Sequence, residues 1–195
     1  MDKPITLPGI RNITVSGRIG SGASTLAEKL GEELGWEVLE GGRLFRKFAL
    51  EKNISITQTN QRPDRMDLEY EAMVTAMLRK QSGKIIQSHL AGFDAQGIEG
   101  VFKILVLCED DQGNDRIELR IDRLVNRENV SVEEAKQEVK ERERQNLEKW
   151  QKLYAEGELA WVYWDKKYYD LVINTYSHNK KETLRLALSA LKASF

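Results

Sequence analysis

Cysteine is almost absent from this sequence. The single thiol, Cys108, has no partner for an internal disulfide and cannot form a thiolate metal site alone. Only His89 and His178 could join it, at no ligand spacing, so zinc chemistry has almost no footing. Proline is scarce: Pro4, Pro8 and Pro63 all fall in the first third, which leaves the rest free of the strongest helix breaker. No apolar run approaches the roughly 18 residues that span a bilayer, the longest aliphatic stretch being Ile104 to Cys108. The opening MDKPITLPGIRN has no apolar signal core. Neither sign of charge is in excess. With 30 Lys and Arg against 31 Asp and Glu, the net charge of −1 is too small to hold nucleic acid or an acidic membrane non-specifically. The expectation is a cytoplasmic protein with no nucleic-acid and no membrane partner, its 195 residues forming a single domain.

What is present is an alternation of short β-branched runs with longer helical patterns. Strands are predicted over 12–16 (NITVS), 36–39, 84–88 (KIIQS), 103–108 (KILVLC) and 171–174 (LVIN). Between them, Leu26, Leu30 and Leu34 mark a helix from Ser24 that Gly35 closes, and Leu44, Phe45, Phe48 and Ala49 mark one that stops near Asn53. Residues 54–62 read as a loop. Asp64 is expected to cap a helix that carries Met66, Tyr70, Val74 and Met77 and that Gly83 ends. Helical patterns then cover 111–127 and 131–154, the second opened by a capping box of Ser131 and Glu134, and Asn179 with Glu182 opens the last. Such alternation implies an α/β fold with a five-stranded parallel sheet covered on both faces.

The stretch Gly17-Arg18-Ile19-Gly20-Ser21-Gly22-Ala23-Ser24-Thr25 lies between the first strand and the first helix. A phosphate cradle needs glycines where the backbone folds round the anion, and a helix N-terminus whose free N–H groups face it. Gly17, Gly20 and Gly22 meet the first need, and Ser24 and Thr25 the second. In the pattern GxxxxGK[ST], Gly17 and Gly22 have the right spacing and Ser24 is placed to meet magnesium, but Ala23 stands where the lysine belongs. The plainer alternative is a glycine-rich turn that lets strand and helix pack closely. A charge-assisted contact to phosphate contributes about 1.5 to 3 kcal/mol, so binding could survive on backbone donors while fast catalysis would need another cation.

Arg116, Arg120, Arg123 and Arg127 fall within an arc of about 60° on a helix and are expected to form one guanidinium face, with Ile117, Ile121, Leu124 and Val125 beside it. Arg142 and Lys149 repeat the idea on the next helix. The alternative is a solvated face of ion pairs with Glu118, Asp122 and their neighbours. Beside a phosphate loop, an anion clamp is the stronger expectation.

These residues resemble the cytidylate kinases, and more closely the short archaeal-type branch of that nucleoside monophosphate kinase family. The resemblance rests on GRIGSGAST, Gly42-Arg43-Leu44-Phe45-Arg46, the HLAG run 89–92, RLVNRE at 123–128, Arg142-Glu143 and YDLVINT at 169–175, in the family's order. It implies a P-loop kinase fold with an acceptor-binding region at about 40–82 and a helical lid at about 111–150. It further implies ATP and Mg2+ as cofactors and CMP or dCMP as acceptor, in a protein expected to be a monomer. Residues 17–25 would then hold the phosphates of ATP, with Ser24 at magnesium. Gly42, Arg46, His89 and Gly92 would meet the acceptor, and Arg123, Arg127 and Arg142 would surround the transferring phosphoryl group. The departures are Ala23, Gln87 and Ser88 in place of Glu-Gly, His89 for an arginine, and Lys149 for another. His89 stays open between an acceptor contact and a strand-end histidine. Arg18 and Arg43 are candidates to fill the lysine's space, and the alternative function is nucleotide binding with lost or weak catalysis, as a sensor or partner of another enzyme.

Overall fold

The central strands are rich in β-branched residues that alternate between two buried faces. Ile85 and Ile86, adjacent in one strand, therefore enter different apolar clusters. In the computed structural model, which describes residues 5–52 and 62–194, the elements follow the order β1 (Asn12–Gly17), α1 (Ala23–Leu34), β2 (Glu37–Glu40), α2 (Gly41–Glu51), α3 (Asp64–Lys80), β3 (Lys84–Gln87), α4 (Ala91–Asp94) and β4 (Val101–Leu107). There follow α5 (Ile117–Glu128), α6 (Val132–Lys136), a π-helical stretch (Gln137–Arg142), α7 (Glu143–Tyr154), β5 (Leu171–Asn174) and α8 (Lys180–Ala193). The five strands form one parallel sheet in the order β2-β3-β1-β4-β5. Central β1 pairs Ile13 with Ile85 on one side and with Phe102 on the other. Helices α1 and α8 cover one face through Leu26, Leu30, Ala187 and Leu191, and α3 and α4 cover the other through Tyr70, Val74, Leu78, Ala91 and Ala95. Among the described residues no helix is long and apolar enough to cross a membrane.

Three expectations are corrected. The helix expected over 111–127 starts only at Ile117, because the Asp110 carboxylate accepts from the N–H groups of Gln112 and Asn114 and folds residues 110–114 into a turn before Arg116. Asp64 is the first helical residue after Pro63, not the cap, and its carboxylate pairs with Lys152. Gly83 lies in the turn into β3 at φ 72°, beyond the helix end at Lys80. The loop expected over 54–62 lies outside the described residues except for Arg62. Both capping boxes, Ser131 with Glu134 and Asn179 with Glu182, are formed.

Candidate functional site

At the C-terminal end of the sheet the chain leaves β1 at Gly17 and enters α1 at Ala23. Two left-handed glycines make that turn possible, Gly20 at φ 78° and Gly22 at φ 104°. Gly17 is needed for space: a Cβ there would strike Ser21 Oγ and come within 2.7 Å of the Val106 carbonyl. Among the described residues, the N–H groups of Gly20, Gly22, Ala23, Ser24 and Thr25 make no bond to protein, and α1 carries no side-chain cap. They form an open row of donors at the positive end of a 12-residue helix. The Ser24 hydroxyl makes no protein hydrogen bond either.

Alternate carbonyl groups of the same loop are engaged. Gly17 O lies 2.9 Å from His89 Nδ1, and because a carbonyl only accepts, Nδ1 carries the proton. Burial holds His89 below the usual histidine range, so the ring is neutral at pH 7, and it packs against Trp150 and Tyr163. Ile19 O accepts from Arg120 at 2.6 Å, and Ser21 O from Arg123 at 3.4 Å and from the Thr175 hydroxyl at 2.7 Å, whose one proton Leu107 O also approaches at 3.0 Å.

The expected guanidinium face is broken up, because its four arginines take different partners. Arg116 precedes α5 and stacks on Tyr176, its guanidinium 4.9 Å from the ring centre. Arg120 is completely buried and pairs with Glu143 at 2.9 Å and Asp115 at 2.8 Å. Arg123 donates to the hydroxyl and the carbonyl of Thr175. Arg127 stays half-exposed beside Glu128, and Arg142 half-exposed beside Glu138. Arg18 does not reach toward the place of the missing lysine. It is held by Glu143 at 2.5 Å and Asp115 at 3.2 Å and lies over the Trp164 ring. Burial alone would raise the Glu143 carboxyl, but Arg120 and Arg18 outweigh it and hold it below the usual range. Arg43 is 81% exposed and pairs with Glu40, and Lys149 is buried against Asp67 at 2.8 Å.

Beside the loop lies a cavity of about 420 Å3 lined by Gly20, Gly22, Thr25, Lys29, Arg123 and Arg127, among others. Across the sheet end, Gly42 and Arg46 lie in the first turns of α2, where Tyr70 donates to the Gly41 carbonyl. Arg46 has no hydrogen-bond or ion-pair partner among the described residues. Gly92 is not brought to a surface: its N–H donates to Ser16 Oγ, and a Cβ would collide with the Tyr169 ring. Sequence reasoning missed Thr175 and Arg120 as loop contacts. The signal for both was present only as family-like runs, YDLVINT and the arginine spacing.

The AAA domain family matches residues 13–143. A cytidylate kinase of Methanothrix thermoacetophila is 32% identical over 185 residues, covering 93% of this chain and 98% of the relative. One from Methanosarcina mazei is 31% identical over 186 residues, covering 92% and 97%. The chain belongs to the cytidylate kinase family. Among solved structures, a gluconokinase of Sinorhizobium meliloti matches with a TM-score of 0.55 at 18% identity, covering 97% of this chain and 95% of that one, a likeness of fold. The five-stranded parallel sheet flanked by helices is a P-loop kinase fold.

Proposed function

We propose that the protein is an ATP-dependent nucleoside monophosphate kinase that phosphorylates CMP or dCMP. The observation that carries this reading is the set of N–H groups of Gly20 and of Gly22 to Thr25, unpartnered among the described residues, at the start of α1 beside a cavity large enough for a nucleoside. In this reading residues 17–25 bind the β and γ phosphates of ATP, and the cavity along Arg123 receives its base and ribose. The Ser24 hydroxyl, without a hydrogen bond among the described residues, would help hold a magnesium ion, which would supply charge neutralisation. Arg46 is free to bind the acceptor phosphate from the opposite side. The half-exposed Arg127 and Arg142, held only by neighbouring carboxylates, can exchange those partners for the transferring phosphoryl group as a lid over 111–150 closes. Gly92 is buried with its N–H on Ser16, and His89 commits its Nδ1 to the Gly17 carbonyl, which leaves its Nε2 side for an acceptor.

The direct test is incubation with ATP, magnesium and each nucleoside monophosphate in turn, with detection of the diphosphate. Product from CMP or dCMP supports the reading, and its absence with every acceptor removes it. Ala23 favours one other reading, nucleotide binding without turnover, which would give thermal stabilisation by ATP and no product.

A further inference from the structure

Three alternate carbonyl oxygens of the loop point outward, and each is bound by a side chain from a different part of the fold. His89 comes from the connection between β3 and α4, Arg120 from α5, and Thr175 from the end of β5. A peptide unit is rigid, planar and trans, so holding its carbonyl outward aims the next residue's N–H the opposite way. Fixing the oxygens of Ile19 and Ser21 therefore turns the N–H groups of Gly20 and Gly22 into the site, where both lack a protein partner. The intervening units are also spoken for: Arg18 O accepts from the Ser21 N–H at 3.0 Å, and the Ile19 N–H donates to Glu143 at 3.2 Å. Glu143 in turn grips Arg120 through both of its carboxylate oxygens.

Neither arginine considered for the lysine's place occupies it. Arg18 and Arg120 are neutralised by Glu143 and Asp115, and Arg43 lies at the surface. We propose that His89, Arg120 and Thr175 are positioning residues that hold the loop in its phosphate-accepting shape before nucleotide arrives, and that this presetting takes the place of the lysine. A preset site spends no binding energy on ordering its donors, and donors fixed in place act on a developing charge without reorganising. The inference rests on the phosphate-loop reading above.

The test is a calorimetric titration of the whole protein with ATP at fixed magnesium and with inorganic tripolyphosphate, with the unfolding midpoint measured in parallel. Thr175→Val removes the hydroxyl at constant shape, and His89→Leu removes the donor to Gly17, whereas His89→Asn keeps a donor near the Nδ1 position. Loss of one such bond should weaken tripolyphosphate about five- to ten-fold in the Val and Leu variants and leave the Asn variant near the parent. Each is then combined with Ala23→Lys. The added lysine should restore affinity in the Val and Leu variants by a larger factor than it gains in the parent, a coupling that lost stability alone would not produce. Unchanged affinity in both Thr175→Val and His89→Leu, or an equal gain from the lysine in every background, overturns the proposal. A parent protein that binds neither probe would instead remove the phosphate-loop reading itself, so the two failures give different results.

Discussion

The two sides of the sheet end are built on opposite principles. On the loop side every buried charge has a partner: Glu143 accepts from Arg18, Arg120 and the Ile19 N–H, and Asp115 completes the set. On the α2–α3–α4 side Arg46 has no partner among the described residues. There Glu71 Oε2, Asp94 Oδ2 and the Tyr154 hydroxyl are enclosed without hydrogen bonds. An enclosed polar group without a partner costs about 1 to 3 kcal/mol. The loop side also encloses two atoms without a partner, Arg120 Nε and Ser21 Oγ, so the sides differ in their charges: the first neutralises its buried ions within the fold, and the second encloses carboxyls that a proton, a ligand or a movement of its helices would satisfy.

Four measurements would break or sharpen this contrast. The largest effect is expected from Arg120→Ala, which leaves Glu143 buried beside one remaining arginine and removes a fully buried side chain. Chemical denaturation should show a loss of about 3 to 5 kcal/mol, and a loss below 1 kcal/mol would mean that the network is not the keystone of this side. The same network fixes a pH dependence. The folded Glu143 carboxyl lies below its unfolded value, so its contribution is complete above about pH 4.3 and is lost as the pH falls through the lowered folded value.

On the open side, Arg46→Ala should raise the acceptor KM about 10- to 100-fold while the ATP KM and the unfolding midpoint stay near the parent. Equal weakening of ATP would place α2 on the wrong side of the transfer. Arg127→Ala is expected to lower kcat by a similar or smaller factor with little change in ATP affinity, because its present partner is only the adjacent Glu128. An equal loss of affinity and rate would assign it to the ground state.

The smallest effect concerns the enclosed carboxyl pair. Burial pushes the Asp94 carboxyl up to about 6, with Glu71, its hydrogen-bonded neighbour, opposing the shift, and burial and the Asp94 charge push Glu71 well up. A folded value above the unfolded one means that the folded state binds the proton more tightly. Stability should therefore decline as pH rises from about 4 to about 6, by on the order of 2 kcal/mol. Asp94→Asn should flatten that decline and stabilise the protein at pH 8. A variant that follows the parent curve would show that the pair is relaxed by solvent.

The strand runs, both capping boxes, the glycine turns and the sheet class were legible in the sequence because they depend on residues a few positions apart. The start of α5 was misread because the helical pattern was run back over residues 111–116, whose Asp, Asn and Gly favour a turn and whose backbone the Asp110 side chain captures. The arginine face was misread for a different reason. Its acidic partners were sought on the same helix, whereas Glu143 lies 23 residues beyond Arg120 and in another helix.

The sequence by itself determined a parallel α/β sheet and a strand-loop-helix unit with three glycines and no lysine, since backbone sterics and hydrophobic period are local properties. Only the tertiary structure decided which charges are neutralised and which remain free. It carried Thr175 to a carbonyl 154 residues away and Glu143 to an N–H 124 residues away, and it left Arg46 without a partner among the described residues. Desolvation and pairing of a charge depend on what the fold packs around it, and that neighbourhood is drawn from the whole chain.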